Sequence, residues 1–249
     1  MPMIEVEGLR KSFRIPSVRR DTVREHALSF FKPHPTEELK VLEDISFAVQ
    51  PGEAVGIMGR NGCGKSTLLK VLAGIYTPDA GLVRVGGPVT PILELGVGWN
   101  PELDAADNIL LIGTVMGLTP RKLRRVTPDI LAFAGLERFL HLELKHFSSG
   151  MAARLAFSVA FMAVREVLIL DEIFAVGDAQ FKARCRERLN QLKASGHSIL
   201  LVSHNPADIS EFCDRAMLLE GGRIVKEGAG QVIAEAYETL LDGDRGKTA

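Results

Sequence analysis

Cysteine is scarce: Cys63, Cys185 and Cys213 are the only three in a chain of 249 residues. An odd count with no Cys-x-x-Cys pair excludes a disulfide framework or a cysteine-rich metal site and fits a reducing compartment. Excess charge is also missing. The 30 Lys and Arg are offset by 31 Asp and Glu, for a formal net charge of −1. That balance excludes the basic footprint of a dedicated nucleic-acid binder and gives no electrostatic reason to coat anionic lipid. Long apolar runs are absent as well. Apolar runs such as Leu155 to Val164, of ten residues, fall short of the roughly 20 that a spanning helix needs. The opening Met1-Pro2-Met3-Ile4-Glu5-Val6-Glu7 lacks the basic-then-apolar order of a secretory signal, so a cytoplasmic chain is expected. No internal repeat or low-complexity segment occurs. What remains, at 46% hydrophobic, 24% charged and 24 glycines, is the composition of one or two globular domains with many tight turns.

Periodicity locates the elements. Ile4 to Leu9 alternates as a half-buried strand, and strand signals resume at Ile45–Val49 and Ala54–Met58 around a turn at Gln50-Pro51-Gly52. Between them, residues 16–40 break the rhythm with mixed charge and three prolines, and read as a surface insertion. Lys65 to Ala73 has a helical pattern, and residues 101–165 are mostly helical. Val167–Leu170 and Ser198–Val202 are unbroken apolar runs, as in a parallel sheet covered on both faces, with a helix over about 179–194 between them. A hairpin turns at Gly221-Gly222, and a last helix is expected over Val232–Leu241, followed by a polar tail, Asp242 to Ala249.

The strongest chemical signal is Gly59-Arg60-Asn61-Gly62-Cys63-Gly64-Lys65-Ser66, followed by Thr67. It matches the G-x-x-x-x-G-K-[ST] phosphate loop, with an apolar strand before it and a helix after it. Glycines let backbone N–H groups turn around phosphate oxygens, and the helix N-terminus adds its positive dipole end. Lys65 suits the β and γ phosphates and Ser66 the Mg2+ ion, so a nucleotide with Mg2+ is the expected ligand. A second buried strand delivers Asp171 and Glu172 at its C-terminal end, where open α/β sheets bind ligands. Asp171 suits the metal shell and Glu172 the attacking water.

With these, Phe147-Ser148-Ser149-Gly150-Met151 and the downstream Arg154 resemble the signature loop of ABC-type ATPases. Asp178 in Ala175-Val176-Gly177-Asp178 matches that family's D-loop aspartate, and His204 in Val202-Ser203-His204-Asn205 its switch histidine. The resemblance covers nearly the whole chain outside the insertion. It implies an α/β P-loop NTPase cassette with a mixed-sheet core, an antiparallel β lobe and an inserted helical lobe. The lobes would divide as residues 1–94 and 166–230 for the core and β lobe, 95–165 for the helices, and 231–249 for a terminal helix and tail. It further implies a head-to-tail homodimer. ATP would lie between the phosphate loop of one copy and Ser148, Ser149, Gly150 and Met151 of the other. His204 would orient γ-phosphate and water, and Phe13 would stack on adenine.

Three departures narrow the subfamily. The signature reads Ser-Ser-Gly-Met, and Glu172 is followed by Ile173-Phe174-Ala175-Val176-Gly177-Asp178. The usual Q-loop glutamine is replaced by the run Leu93-Glu94-Leu95-Gly96-Val97-Gly98-Trp99-Asn100-Pro101-Glu102-Leu103. Together with the insertion, these resemble the ATPases of polysaccharide exporters for O-antigen, capsule and teichoic acid. Glu94 is then the candidate for the metal- and water-facing role. The resemblance implies a separate polytopic permease, peripheral attachment to the inner face of the cytoplasmic membrane through it, and only indirect contact with polysaccharide. No nucleic-acid partner and no C-terminal carbohydrate-binding domain are expected. Phe30-Phe31 beside Lys32 suits an insertion near the membrane face. The alternatives are another transporter class, either a solute importer or a drug or lipid exporter, or a non-transport ABC ATPase.

Overall fold

A computed structural model describes residues 1–16, 36–93, 98–172 and 177–245. The first half of the chain holds β1 (Ile4–Pro16), β2 (Thr36–Val49), β3 (Ala54–Gly59), α1 (Lys65–Leu72), β4 (Ala80–Val85) and β5 (Val89–Ile92). Three helices follow: α2 (Ala105–Val115), α3 (Pro120–Ala134) and α4 (Ser149–Met162). The chain then returns through β6 (Val167–Asp171), α5 (Ala179–Ala194), β7 (Ser198–Val202), α6 (Pro206–Phe212), β8 (Arg215–Glu220), β9 (Arg223–Ala229) and α7 (Gly230–Arg245).

The apolar runs become the centre of a six-stranded sheet in the order β5-β6-β7-β3-β8-β9. Its first five strands pair in parallel, and β9 folds back antiparallel on β8. Alternation sends successive side chains to opposite faces. Leu168, Leu170, Ile199 and Leu201 pack with Phe157, Phe161, Phe181, Ile209 and Ile233 from the helices on one side. Val167, Ile169, Leu200 and Val202 pack with Leu68 and Leu69 of α1 and with Ile4, Leu9 and Ile45 on the other. Two covered faces explain why these strands read as continuous apolar runs. A second, antiparallel sheet, β2-β1-β4, lies over the α1 side.

The helical lobe has its own core, built by Ile109, Leu123, Ile130, Leu155 and Val159. Its helix ends follow local chemistry. Asp104 caps α2 through Asp107 N, Thr119 with Pro120 opens α3, and Gly135 closes α3 in the left-handed region. Asn108 is fully buried and ties the Asn100 to Asp104 loop with its amide, accepting from Asn100 N and donating to the Asn100, Leu103 and Asp104 carbonyls.

Two boundaries and two strands differ from the sequence expectation. Thr36 to Lys40, assigned to the insertion, are strand residues paired with Pro16 to Ser12, so ordered antiparallel arms carry the segment between them. Helix α7 continues through Asp242 to Arg245, the first half of the expected polar tail. Strands β4 and β5 were not anticipated: β4 is mostly half-exposed, and β5 contains Pro91. Phe30, Phe31 and Lys32 of the insertion lie outside the described residues.

Candidate functional site

The site begins where β3 ends at Gly59 and α1 starts at Lys65. Gly64, the N-cap of α1, has φ 110° and offers no side-chain cap, which leaves the first-turn N–H groups of α1 free for an anion. A Cβ on Gly64 would stand 2.8 Å from Leu42 Cδ2 and 2.9 Å from the Val41 carbonyl oxygen. Only glycine fits there. Lys65 is 7% exposed, and its ammonium donates to the Gly59 and Arg60 carbonyl oxygens at 2.6 and 2.9 Å. From below, Gly222 N in the β8–β9 turn donates to the Cys63 carbonyl at 3.2 Å. The loop borders a cavity of about 440 Å³ lined by Asn61, Gly62, Gly64, Lys65, Ser66 and Thr67 together with Asp171 and Glu172.

Two distant stretches of sequence therefore meet at one cavity. Ser66 Oγ donates to Asp171 Oδ2 at 3.0 Å. Burial pushes the Asp171 carboxyl up from the ordinary carboxylate range; the Ser66 hydrogen bond opposes this and the Glu172 charge adds to it, with Lys65 and Lys70 pulling the other way. A hydroxyl and a carboxylate beside a phosphate cavity form a hard oxygen donor pair. Such a pair fits Mg2+, which takes few protein ligands and completes its shell with phosphate and water. Glu94, the third metal candidate, lies outside the described residues.

Glu172 sits one residue beyond β6 with φ 51°, the left-handed region that non-glycine residues seldom occupy. Its N–H donates to the Val202 carbonyl at 3.0 Å. His204 stands just past β7, and its Nδ1 is 3.1 Å from Glu172 Oε1. The carboxylate and the imidazole thus face each other across adjacent strand ends.

The other expected residues occupy different surroundings. Ser148 caps α4 by accepting from Met151 N at 3.2 Å, which leaves the Ser149 and Gly150 region as an open helix N-terminus. Asp178 caps α5 by accepting from Phe181 N at 2.8 Å, and its Oδ2 lies 3.6 Å from Arg154 on α4. Phe13 packs edge-to-face on Tyr76 at 5.4 Å between centroids, with Lys11 Nζ 5.4 Å from its ring. None of Ser148 to Met151, Asp178 or Phe13 lines the phosphate cavity within this chain. Cys63 is 8% exposed, and burial pushes its thiol up, so alkylation in the folded chain is disfavoured despite its position in the loop.

Sequence reading missed a buried polar pair behind His204. Ser203 is 4% exposed and Asp208 3%. The one signal available was Asn205-Pro206, a helix start that puts Asp208 in the first turn of α6.

The ABC transporter family profile matches residues 42–175. The chain is 41% identical over 248 residues to "ABC transporter protein AbcA" of Aeromonas salmonicida, covering 98% of this chain and 79% of that protein. It is 42% identical over 200 residues to "O-antigen export system ATP-binding protein RfbB" of Klebsiella pneumoniae, covering 80% of this chain and 81% of that one. It is 32% identical over 238 residues to "Teichoic acids export ATP-binding protein TagH" of Bacillus anthracis, covering 96% of this chain and 43% of that one. Among solved structures, an ATP-binding subunit of an ABC transporter superposes with a TM-score of 0.74 at 28% identity, covering 95% of this chain and 93% of that chain. A dimeric cassette in a post-hydrolysis state, bound to ADP and Pi, shares the fold with a TM-score of 0.73 at 19% identity, covering 91% and 98%.

Proposed function

The chain belongs to the ABC transporter family and is an ATPase of that family, and from that premise we propose that it drives export of a lipid-linked polysaccharide through a separate transmembrane permease. The observation that supports the substrate class is the naming of its relatives: likeness over 80% of this chain extends to a protein named for O-antigen export, and over 96% of it to part of a protein named for teichoic acid export. No described helix is long and apolar enough to cross a membrane, and attachment to the cytoplasmic membrane face would come through the permease.

The mechanism follows from the cavity. The loop amides from Gly59 to Gly64 and the N-terminus of α1 cradle the phosphates, and Lys65 exchanges its carbonyl partners for β- and γ-phosphate oxygens. Ser66 and Asp171 would hold Mg2+, which when bound would neutralise charge on the β and γ phosphates. Glu172 accepts a hydrogen bond from the attacking water and polarises it, while His204, beside it at 3.1 Å, keeps water and γ-phosphate in register. The open N-terminus of α4 at Ser148, Ser149, Gly150 and Met151 completes the site of a second copy, and Asp178 faces the same junction. Phe13 supplies the aromatic ring for adenine.

The test is a deletion of this gene in the source organism. Lipid-linked glycan should accumulate inside the cell, and a wild-type copy but not Glu172→Gln should relieve the accumulation. Normal surface glycan in the deletion strain overturns the export reading.

A further inference from the structure

Behind His204 lies a carboxylate that the mechanism above leaves unused. Asp208, in the first turn of α6, is 3% exposed. A carboxylate buried that deeply is costly unless it is paired. Its Oδ1 accepts from Arg186 of α5 at 2.6 Å, and its Oδ2 accepts from the Ser203 hydroxyl at 3.2 Å. That hydroxyl in turn accepts from Asn205 N at 3.1 Å. The residues on either side of His204 are therefore tied to one oxygen, and that oxygen is tied to Asp208. Ser203 N also donates to the Ile57 carbonyl of β3 at 3.4 Å. The imidazole itself, by contrast, is more than half exposed and meets Glu172. Its aim is set by the backbone that carries it.

We propose that Asp208, held by Arg186, is the positioning residue for His204. The guanidinium forks between Asp208 and Glu211, both on α6, so it fixes the first turns of that helix against α5. Helix α5 is itself anchored at its N-terminus by Asp178. Glu172, Ser203, His204 and Asp208 line a common cavity of about 400 Å³, so a shift of the carboxylate is felt where water would be held. Loss of the Asp208 charge frees the Ser203 hydroxyl to rotate, the 203–205 backbone loosens, and His204 loses its register with Glu172. Nucleotide binding, made by the phosphate loop on another strand, is unaffected.

This inference rests on the orienting role of His204 proposed above, and the experiment separates the two. Purified wild type, Asp208→Asn, Arg186→Gln, Arg186→Lys, His204→Ala and the Asp208→Asn/His204→Ala double variant are compared for MgATP hydrolysis, with single-turnover measurement for the slow ones. Asp208→Asn and Arg186→Gln should lower kcat about tenfold with KM for ATP within about twofold, and Arg186→Lys should recover most of the loss. In the His204→Ala background, Asp208→Asn should cost less than about twofold, because its effect passes through the missing imidazole. Ring 15N NMR should show the His204 signal shifted or broadened in Asp208→Asn while the His197 signal stays in place. Full kcat in Asp208→Asn beside an inactive His204→Ala overturns the positioning role alone. An equal loss from Asp208→Asn with and without His204 overturns it as well, since that is what a general weakening of the fold produces. Undiminished hydrolysis in His204→Ala removes the histidine's role and this inference with it.

Discussion

Asp171 is asked to do two opposed things. In its proposed role it must be ionised to hold a cation, yet burial makes the charge unfavourable and pushes its carboxyl up. Because the folded value lies above the unfolded one, the native state binds the proton more tightly, and this group's contribution to stability falls as pH rises through that window. At neutral pH the nucleotide-free protein therefore carries a penalty that Asp171→Asn removes. That variant should melt higher than wild type at pH 7, the difference should vanish below the ordinary carboxylate range, and hydrolysis should drop by at least about a hundredfold. Calorimetry across pH 3 to 8 with a parallel ATPase assay checks both halves; a variant that melts lower at pH 7 contradicts the sign. Gly64 makes the complementary case, of a backbone and not a charge. With φ 110° and only 2.8 Å to Leu42 Cδ2, Gly64→Ala should destabilise by roughly 1–3 kcal/mol and weaken ATP binding together, seen as a lower urea midpoint.

At the scale of elements, the β1–β2 arms show how a strand end is held in place. Asp79, just before β4, accepts from Lys11 Nζ, Ser12 N and Ser12 Oγ at 2.8, 2.6 and 2.9 Å. Those bonds, the Lys11 one foremost, hold its carboxyl down to about 2. A lowered folded value means that the stabilisation is present above the ordinary aspartate range and is lost as pH falls through about 2. The Asp79 side chain is solvent-exposed, so Asp79→Asn should cost under about 1 kcal/mol at pH 7. Its functional effect should be larger, because Phe13 follows Ser12 directly: KM for ATP should rise about threefold with kcat unchanged. An unaltered KM would mean that the arm does not position the ring. Elements such as β3, β6 and β7 were legible in the sequence because each buries both faces and reads as an uninterrupted apolar run. The phosphate loop and the Asp171-Glu172 pair were legible for a related reason, since their chemistry is local to a few consecutive residues. The Arg186–Asp208–Ser203 tie was not, because its members sit on two helices and a loop and each alone looks like an ordinary polar residue. Strand β4, with its exposed pattern, and β5, with Pro91, carry no periodicity that survives without their neighbours.

For the whole molecule, the decisive geometry is a separation. The phosphate loop, Asp171 and Glu172 share one cavity, whereas Ser148 to Met151 line no part of it. Both ends carry open helix N-termini, at α1 and at α4, each suited to phosphate. Under the proposed mechanism a site that uses both would draw them from two copies, and a two-fold arrangement would form two such sites at once. Complementation of dead variants tests this directly. Lys65→Ala destroys the site that contains its own loop, and Ser148→Arg destroys the site to which it lends its helix end. Each homodimer should hydrolyse no ATP above background. In a mixed dimer the two lesions fall on the same site, which leaves the other with a native phosphate loop from one copy and a native Ser148 from its partner. Equal mixing gives about half heterodimers with one intact site each, so roughly a quarter of wild-type activity should return on mixing. Recovery should also saturate with protein concentration, as association requires. If each chain instead closed its own site, mixing would restore nothing, and a silent mixture of two separately folded variants would reject the shared site.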